Sequence, residues 1–255
     1  MLLAIDAGNT NVTIGIFDGP RIITRWRLRT VHDQTPDEWG IKLRSLFALE
    51  GLPLEKISGI IAATVVPPLE SSLTGMARRY FPVEPMFVTG HTETGLNILY
   101  DNPREVGADR IVNAVAAIAK YGGPCIVVDL GTAITFDAVS ANSEYLGGII
   151  CPGIGMSIQG LFTRTARLPM VDFRDPEKLI GTNTVVSMQS GLYYGTICMI
   201  DGIVERMIAE MGKDTKSVAT GGQASLITKG SRFVKIADED LTLEGLRMIW
   251  ERNRQ

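Results

Sequence analysis

Ile5-Asp6-Ala7-Gly8-Asn9-Thr10 and Val128-Asp129-Leu130-Gly131-Thr132-Ala133 share one form. In each, an apolar run ends in an aspartate and is followed by a polar turn with a glycine two residues on. The two aspartates stand 123 residues apart in a chain of 255, nearly half its length. The flanks agree as well. Leu2–Ile5 and Cys125–Val128 are apolar runs before the turns, and Val12–Phe17 and Ile134–Val139 resume with strand alternation after them. This predicts an α/β protein of two similar lobes that arose by internal duplication, the first over residues 1–110 and the second over residues 111–255.

Outward from the turns, Asp18-Gly19-Pro20 reverses the chain into a third strand, Arg21–Thr30. Pro36–Glu50 carries Trp39, Leu43, Leu46 and Phe47 at helical spacing. Ile57–Val66 reads as a buried strand closed by Pro67-Pro68, Leu69–Tyr80 as a helix and Pro85–Thr89 as a strand. Arg110–Tyr121 is an Ala- and Val-rich helix stopped by Gly122-Gly123-Pro124. A short strand, Ser217–Ala219, precedes another glycine turn.

Composition narrows the function. Hydrophobic residues are 45% and charged residues 21% of the chain, an ordinary globular balance that excludes disorder. Lys+Arg 25 against Asp+Glu 28 leaves a net charge of −3, so no overall field favours a nucleic acid or an acidic membrane surface. The N-terminus lacks the basic segment of a secretion signal. Two uncharged stretches, Tyr145–Thr163 and Leu179–Ile200, are interrupted by glycines and polar side chains and do not read as spanning helices. Cys125, Cys151 and Cys198 are odd in number and form no CxxC, so they read as small buried hydrophobes in a reducing cell. A cytoplasmic protein is expected.

The turns suit a phosphate chain. Glycine lets backbone N–H groups converge on anionic oxygens, and Asn or Thr side chains add donors. Asp6 at its strand end is a candidate Mg²⁺ ligand, directly or through water. Two such turns, one per lobe, would close on a nucleotide from both sides; the plainer alternative is a pair of hairpins with Asx turns. Thr220-Gly221-Gly222 suits a flat contact with adenine, or simply a strand-to-helix turn. Tyr100–Arg110 gathers Asp101, Arg104, Glu105, Asp109 and Arg110 before an apolar helix. There Asp109 reads equally as the helix N-cap or as an ionised carboxylate that takes a proton from a substrate hydroxyl. Arg110 either holds a substrate carboxylate or carbonyl, or pairs with Asp109. Several motifs are missing: Gly153-x-Gly155 lacks the third glycine of a dinucleotide fingerprint, Gly212-Lys213 is no P-loop, and His32 and His91 build neither a triad nor a zinc site.

Taken together, Asp6–Thr10, Gly107-Ala108-Asp109-Arg110 and Asp129–Asp137 resemble the type III pantothenate kinases of the acetate and sugar kinase/Hsp70/actin superfamily. Gly147-Gly148, Pro152-Gly153, Thr165–Pro169, Gln189-Ser190-Gly191 and Thr220-Gly221-Gly222 continue the resemblance to Leu241–Leu246. It implies two ribonuclease H-like lobes with the nucleotide in the cleft between them, and ATP-dependent phosphorylation of pantothenate towards coenzyme A. Carried onto this sequence, Asp6, Ala7, Gly8, Asn9, Thr10, Asn11, Val12 and Thr13 bind ATP, as does Thr132. Asp109 is the general base. Tyr100, Gly107, Ala108, Asp109, Arg110 and Thr184 contact pantothenate. Asp129 holds a monovalent cation, K⁺ or NH₄⁺, beside the Mg²⁺ at Asp6, and the enzyme is a homodimer. One departure is Ala62-Ala63-Thr64-Val65-Val66-Pro67, where a serine-rich strand is expected. Competing readings are a kinase for another small molecule, a non-enzymatic regulator, and a nucleotide-gated scaffold. GADR speaks against the first, the presence of a candidate base against the second, and the short chain against the third.

Overall fold

A computed structural model describes residues 1–81 and 83–254. The chain divides into two compact units, one of Met1–Leu96, Asp101–Ala116 and the residues from Thr242 onward, the other of Asn97–Tyr100 and Ala117–Leu241. The sequence predicts a single division after residue 110; by contacts, the last helix groups with the first unit. Its leucines explain why, since Leu243 and Leu246 are buried beside Leu2, Ala4 and Phe17.

In the first unit, β1 (Leu2–Ala7), β2 (Asn11–Asp18), β3 (Arg21–Arg29), β4 (Gly59–Thr64) and β5 (Pro85–Phe87) form one sheet in the order β3-β2-β1-β4-β5. Alternation along β1 sends Leu3, Ile5 and Ala7 to one face. There they meet Trp39, Leu43 and Phe47 of α1 (Pro36–Leu49) and Leu69, Leu73 and Met76 of α2 (Pro67–Tyr80). Leu2 and Ala4 go to the other face, with Val112 and Val115 of α3 (Ala108–Tyr121). Helix α1 begins at a capping box, Thr35 with Glu38. Pro67 and Pro68, expected to close a strand, open α2 instead, because the first helical turn has no use for their missing N–H groups.

The second unit has β6 (Asn97–Ile98), β7 (Cys125–Leu130), β8 (Ala133–Val139), β9 (Glu144–Pro152), β10 (Lys216–Thr220) and β11 (Ile236–Ala237). Their order is β11-β10-β7-β8-β9-β6. Without β6 this is the first sheet again, with the same pattern of parallel and antiparallel neighbours. The copy extends to an irregularity. The β2·β3 register slips after Ile16, which pairs with Leu3; the β8·β9 register slips after Ala138, which pairs with Ile126. Leu3 and Ile126 stand the same distance before Asp6 and Asp129. Two folds that agree down to a β-bulge support the duplication expected from the turns.

Three helices complete this unit: α4 (Ile154–Arg164), α5 (Thr184–Met211) and α6 (Ala224–Gly230), before α7 (Leu241–Arg252). Helix α5, which begins within one of the uncharged stretches, turns Tyr193, Ile197, Ile200 and Val204 onto Ile126, Val128 and Phe136. Among the described residues no helix is long and apolar enough to cross a membrane. The cysteines do not all behave as expected. Cys125 is buried, and burial pushes its thiol up to about 12, but Cys198 is exposed because it lies off the apolar stripe of α5.

Candidate active site

The first turn is Gly8-Asn9-Thr10-Asn11, held between the paired residues Ala7 and Val12. It is closed by the Gly8 N–H donating to the Asn11 carbonyl at 3.0 Å. Two threonines from elsewhere fasten it. The Thr30 hydroxyl donates to the Gly8 carbonyl at 2.6 Å and the Thr30 N–H to the Thr10 carbonyl at 3.0 Å. At the strand end the Thr64 hydroxyl donates to the Ala7 carbonyl at 3.2 Å. Asn9 and Thr10 are exposed at the tip. Asp6 pairs with Thr13 across β2 and with Ala63 across β4, so its half-buried carboxylate and the Thr13 hydroxyl emerge on the same face.

The second turn, Gly131-Thr132-Ala133 between Leu130 and Ile134, is one residue shorter. It is fixed by contact. A Cβ on Gly153, at the N-cap of α4, would stand 1.9 Å from the Thr132 carbonyl oxygen and 2.9 Å from that of Gly131. A Cβ on Gly221 would stand 2.8 Å from the Leu130 carbonyl and 2.9 Å from Asp129 Oδ1, and the φ of Gly221 is +89°. Both glycines are therefore required by close approach and, at 221, by a left-handed backbone. Asp129 pairs with Thr135 and Thr220, which surrounds its half-buried carboxylate with oxygen-bearing neighbours.

The Gly107–Arg110 segment starts α3. The Gly107 carbonyl accepts from the N–H of Ile111 at 3.2 Å, so the helix begins at Ala108 and Asp109 lies in its first turn rather than capping it. Asp109 Oδ1 instead accepts the N–H of Arg110 at 2.9 Å. A Cβ on Gly107 would meet that same oxygen at 2.5 Å, so the glycine makes room for this carboxylate conformation. Burial pushes the Asp109 carboxyl above the ordinary aspartate value, against the smaller opposing pull of the Arg110 N–H and guanidinium.

Tyr100 and Thr184 belong to the second unit. Tyr100 is half-buried, its ring 6.3 Å from that of Tyr145. Thr184 is the first residue of α5, next to Asn183, whose side chain caps the helix through the Val186 N–H at 3.0 Å. It lines a cleft of about 710 Å³ with Leu161, Leu168, Ser187, Met188 and Gly191, a volume in the range of small-molecule sites. The site residues thus fall into two groups: Asp6–Thr13 and Gly107–Arg110 in the first unit; Tyr100, Asp129, Thr132 and Thr184 in the second. Sequence reading missed the fasteners. Thr30, Thr64 and the packing roles of Gly153 and Gly221 depend on pairs distant in the chain, and only the glycines left a visible trace in quoted motifs.

The oxygen donors fit the expected ions. Mg²⁺ takes one or two carboxylates, water and phosphate oxygens, which suits Asp6 with Thr13 beside it. A monovalent cation suits Asp129, whose carboxylate borders the space that a side chain at Gly221 would fill.

Known proteins agree in sequence and in fold. The family profile described as type III pantothenate kinase matches residues 2–206. The type III pantothenate kinase of Solibacter usitatus (strain Ellin6076) is 63% identical over 253 residues, covering 99% of this chain and 97% of the relative. That of Myxococcus xanthus (strain DK1622) is 54% identical over 253 residues, covering 99% of each. Component A of (R)-2-hydroxyglutaryl-CoA dehydratase from Acidaminococcus fermentans, a solved structure, superposes with a TM-score of 0.57 at 12% identity. That match covers 100% of this chain and 99% of the other, and it carries the fold alone. With a profile that spans most of its length and relatives similar from end to end, the chain belongs to the type III pantothenate kinase family.

Proposed function

We propose that this protein phosphorylates pantothenate with ATP to give 4′-phosphopantothenate, the first step towards coenzyme A, by direct in-line transfer with Asp109 as general base. The supporting observation is the Gly107–Arg110 turn, where a bare glycine accommodates a carboxylate that burial has made a better proton acceptor than an ordinary aspartate. The primary hydroxyl oxygen of pantothenate attacks the γ-phosphorus while the bond from that phosphorus to the β–γ bridging oxygen breaks. The hydroxyl proton passes to Asp109. Because the transition state is loose, alignment and neutralised charge matter more than covalent help.

In this reading Asp6–Thr13 and Thr132 bind ATP, and the residues exposed at the two tips, Asn9, Thr10 and Thr132, are open to phosphate oxygens. Mg²⁺ at Asp6 and K⁺ or NH₄⁺ at Asp129 would supply positive charge next to the phosphates. Tyr100, Gly107, Ala108, Arg110 and Thr184 hold pantothenate in this reading. The enzyme is a cytoplasmic homodimer. Supporting the dimer, α4 and the segment before α5 expose Met156, Leu161, Phe162, Met170, Leu179 and Ile180.

ADP release measured with ATP and Mg²⁺, with and without pantothenate, in K⁺ and then in Na⁺ buffer, tests the reading. Release that requires both pantothenate and K⁺ is expected. Release indifferent to pantothenate would point to another acceptor, and none at all would refute the kinase reading.

A further inference from the structure

Three stretches marked out in the sequence for separate reasons meet at one edge of the second sheet. They are Tyr100, Asp137 at the end of the Asp129–Asp137 motif, and the residues just before Gly148. Strand β6 lies parallel to β9, with Ile98 beside Tyr145, and the Leu99 N–H donates to the Tyr145 carbonyl at 2.9 Å. The next residue, Tyr100, is thereby carried alongside Gly147. Gly147 has a φ of +120°, and a Cβ there would lie 3.6 Å from the Tyr100 ring, so the ring rests on bare backbone. On another side it meets the ring of Tyr145, tilted by 54°.

Tyr145 is itself locked. It is wholly buried, and its hydroxyl donates to Asp137 Oδ1 at 2.7 Å. Asp137 is wholly buried too, and its Oδ2 accepts the Thr135 hydroxyl at 3.1 Å. An acid and a phenol buried together stabilise a fold no better than an apolar pair of similar size, but they fix each other's geometry. Tyr100 differs from both. It is half-buried, and among the described residues its hydroxyl makes no hydrogen bond. A ring held on two sides, with its polar end uncommitted, is arranged to meet a ligand.

We propose that Asp137 and Tyr145 are positioning residues for substrate binding. The Tyr145–Asp137 hydrogen bond holds the Tyr145 ring, and that ring sets the angle at which Tyr100 meets the acceptor substrate. The inference rests on the reading of Tyr100 as a pantothenate contact.

Steady-state kinetics of Tyr145→Phe, Tyr100→Ala and the double variant test it. Tyr145→Phe keeps the ring and removes only the hydroxyl. It should raise the KM for pantothenate roughly tenfold, with a smaller fall in kcat and an unchanged KM for ATP. In the Tyr100→Ala background the same change should add nothing, because its effect passes through Tyr100. Asp137→Asn keeps an acceptor oxygen for Tyr145 and should give a milder increase. It carries the test if melting shows that Tyr145→Phe does not fold. An equal shift of both KM values, or a full effect in the Tyr100→Ala background, would overturn the proposal and leave a structural role only. Wild-type enzyme that ignores pantothenate would remove the underlying reading as well. Wild-type enzyme that uses pantothenate, with Tyr145→Phe silent, would remove this inference alone.

Discussion

The two hairpin turns descend from one pattern and sit at equivalent places in equivalent sheets, yet they are held by different physics. The first hangs from hydrogen bonds: Thr30 grips Gly8 and Thr10, and Thr64 grips Ala7. Its own glycine is not crowded, since a Cβ on Gly8 would lie 3.3 Å from the Asn11 carbonyl oxygen, tight but not overlapping. The second is wedged between glycines 153 and 221, where an added methyl overlaps backbone. A hydrogen bond contributes about 1 kcal/mol net and yields gradually, whereas overlap within a close-packed interior forces the backbone to move. A duplicated fold can therefore keep its register while each copy finds its own way to secure the turn, and the two should fail differently when mutated.

The largest expected effect lies outside both turns and separates holding from chemistry. Asp109→Asn removes the proton acceptor and should cut kcat by about 10²–10⁴ while both turns stay intact and nucleotide binding persists. Stability should move the other way. Burial raises the Asp109 pKa, so the folded form binds its proton more tightly than the unfolded chain does. Between the ordinary aspartate value and the raised one, stability then falls as pH rises, and the neutral amide should melt no lower than wild type at neutral pH. For the wild-type enzyme, kcat/KM should climb with pH through a limb above the ordinary aspartate range. A limb at the ordinary value, or near-normal turnover in the amide variant, would take the base role from Asp109.

Gly153→Ala strikes the wedged turn. With Cβ 1.9 Å from the Thr132 oxygen, either the turn or the start of α4 must shift by about an ångström, a displacement that costs about a hundredfold in turnover where alignment governs the rate. Overpacking should also lower stability by about 1–3 kcal/mol. Gly155→Ala is the matched control two residues on, where a Cβ meets nothing within 4 Å, and it should melt no lower than wild type. Equal behaviour of the two variants in activity and melting would show that the second turn is not held by contact.

Much of this was legible in the sequence, and the limits have a physical origin. The strands on either side of Asp6 and Asp129 announce themselves through local alternation, and the shared turn form exposed the duplication. What stayed hidden depends on register. That Thr30 would reach Gly8, or Gly153 the Thr132 carbonyl, is fixed by which strands pair and where β9 ends, and no local pattern encodes it. Pro67-Pro68 reads as a stop because proline breaks strands, although it starts helices equally well. Helix α5 was obscured because its first half is uncharged and rich in small and polar residues, with neither a sharp amphipathic stripe nor a spanning pattern. The raised pKa of Asp109 follows from burial, which sequence spacing does not report.

The contrast between the units recurs in a second buried aspartate, Asp201 on α5. Burial alone would raise its pKa, but the Ser231 hydroxyl and the Arg232 and Phe233 N–H groups outweigh it, and the net shift is downward. This carboxylate ties α5 to the bend after α6, with Ser231 Oγ at 2.5 Å and the Arg232 N–H at 3.0 Å. A lowered pKa means stability that is present above the unfolded value, about 3.9, and lost as pH falls through the folded one. Asp201→Asn should therefore cost about 1–3 kcal/mol at neutral pH, with the gap to wild type closing below about pH 4, and leave the kinetic constants alone. A gap that persists unchanged in acid would mean that the variant loses packing rather than charge-assisted hydrogen bonds.

Thr30→Val gives the smallest effect and the closest test of the hydrogen-bonded turn. Valine matches threonine in shape, so the change removes the 2.6 Å bond to the Gly8 carbonyl and leaves the backbone bond from residue 30 to Thr10 in place. Thr30 is buried, so a loss of about 1 kcal/mol is expected. Because the turn loosens rather than shifts, the KM for ATP should rise several-fold while kcat at saturation stays near wild type. That is the opposite of Gly153→Ala, in which saturating ATP cannot restore a misplaced turn. If Thr30→Val lowers kcat and leaves the KM for ATP alone, the first turn is aligned as rigidly as the second, and the two copies differ in their contacts but not in their mechanics.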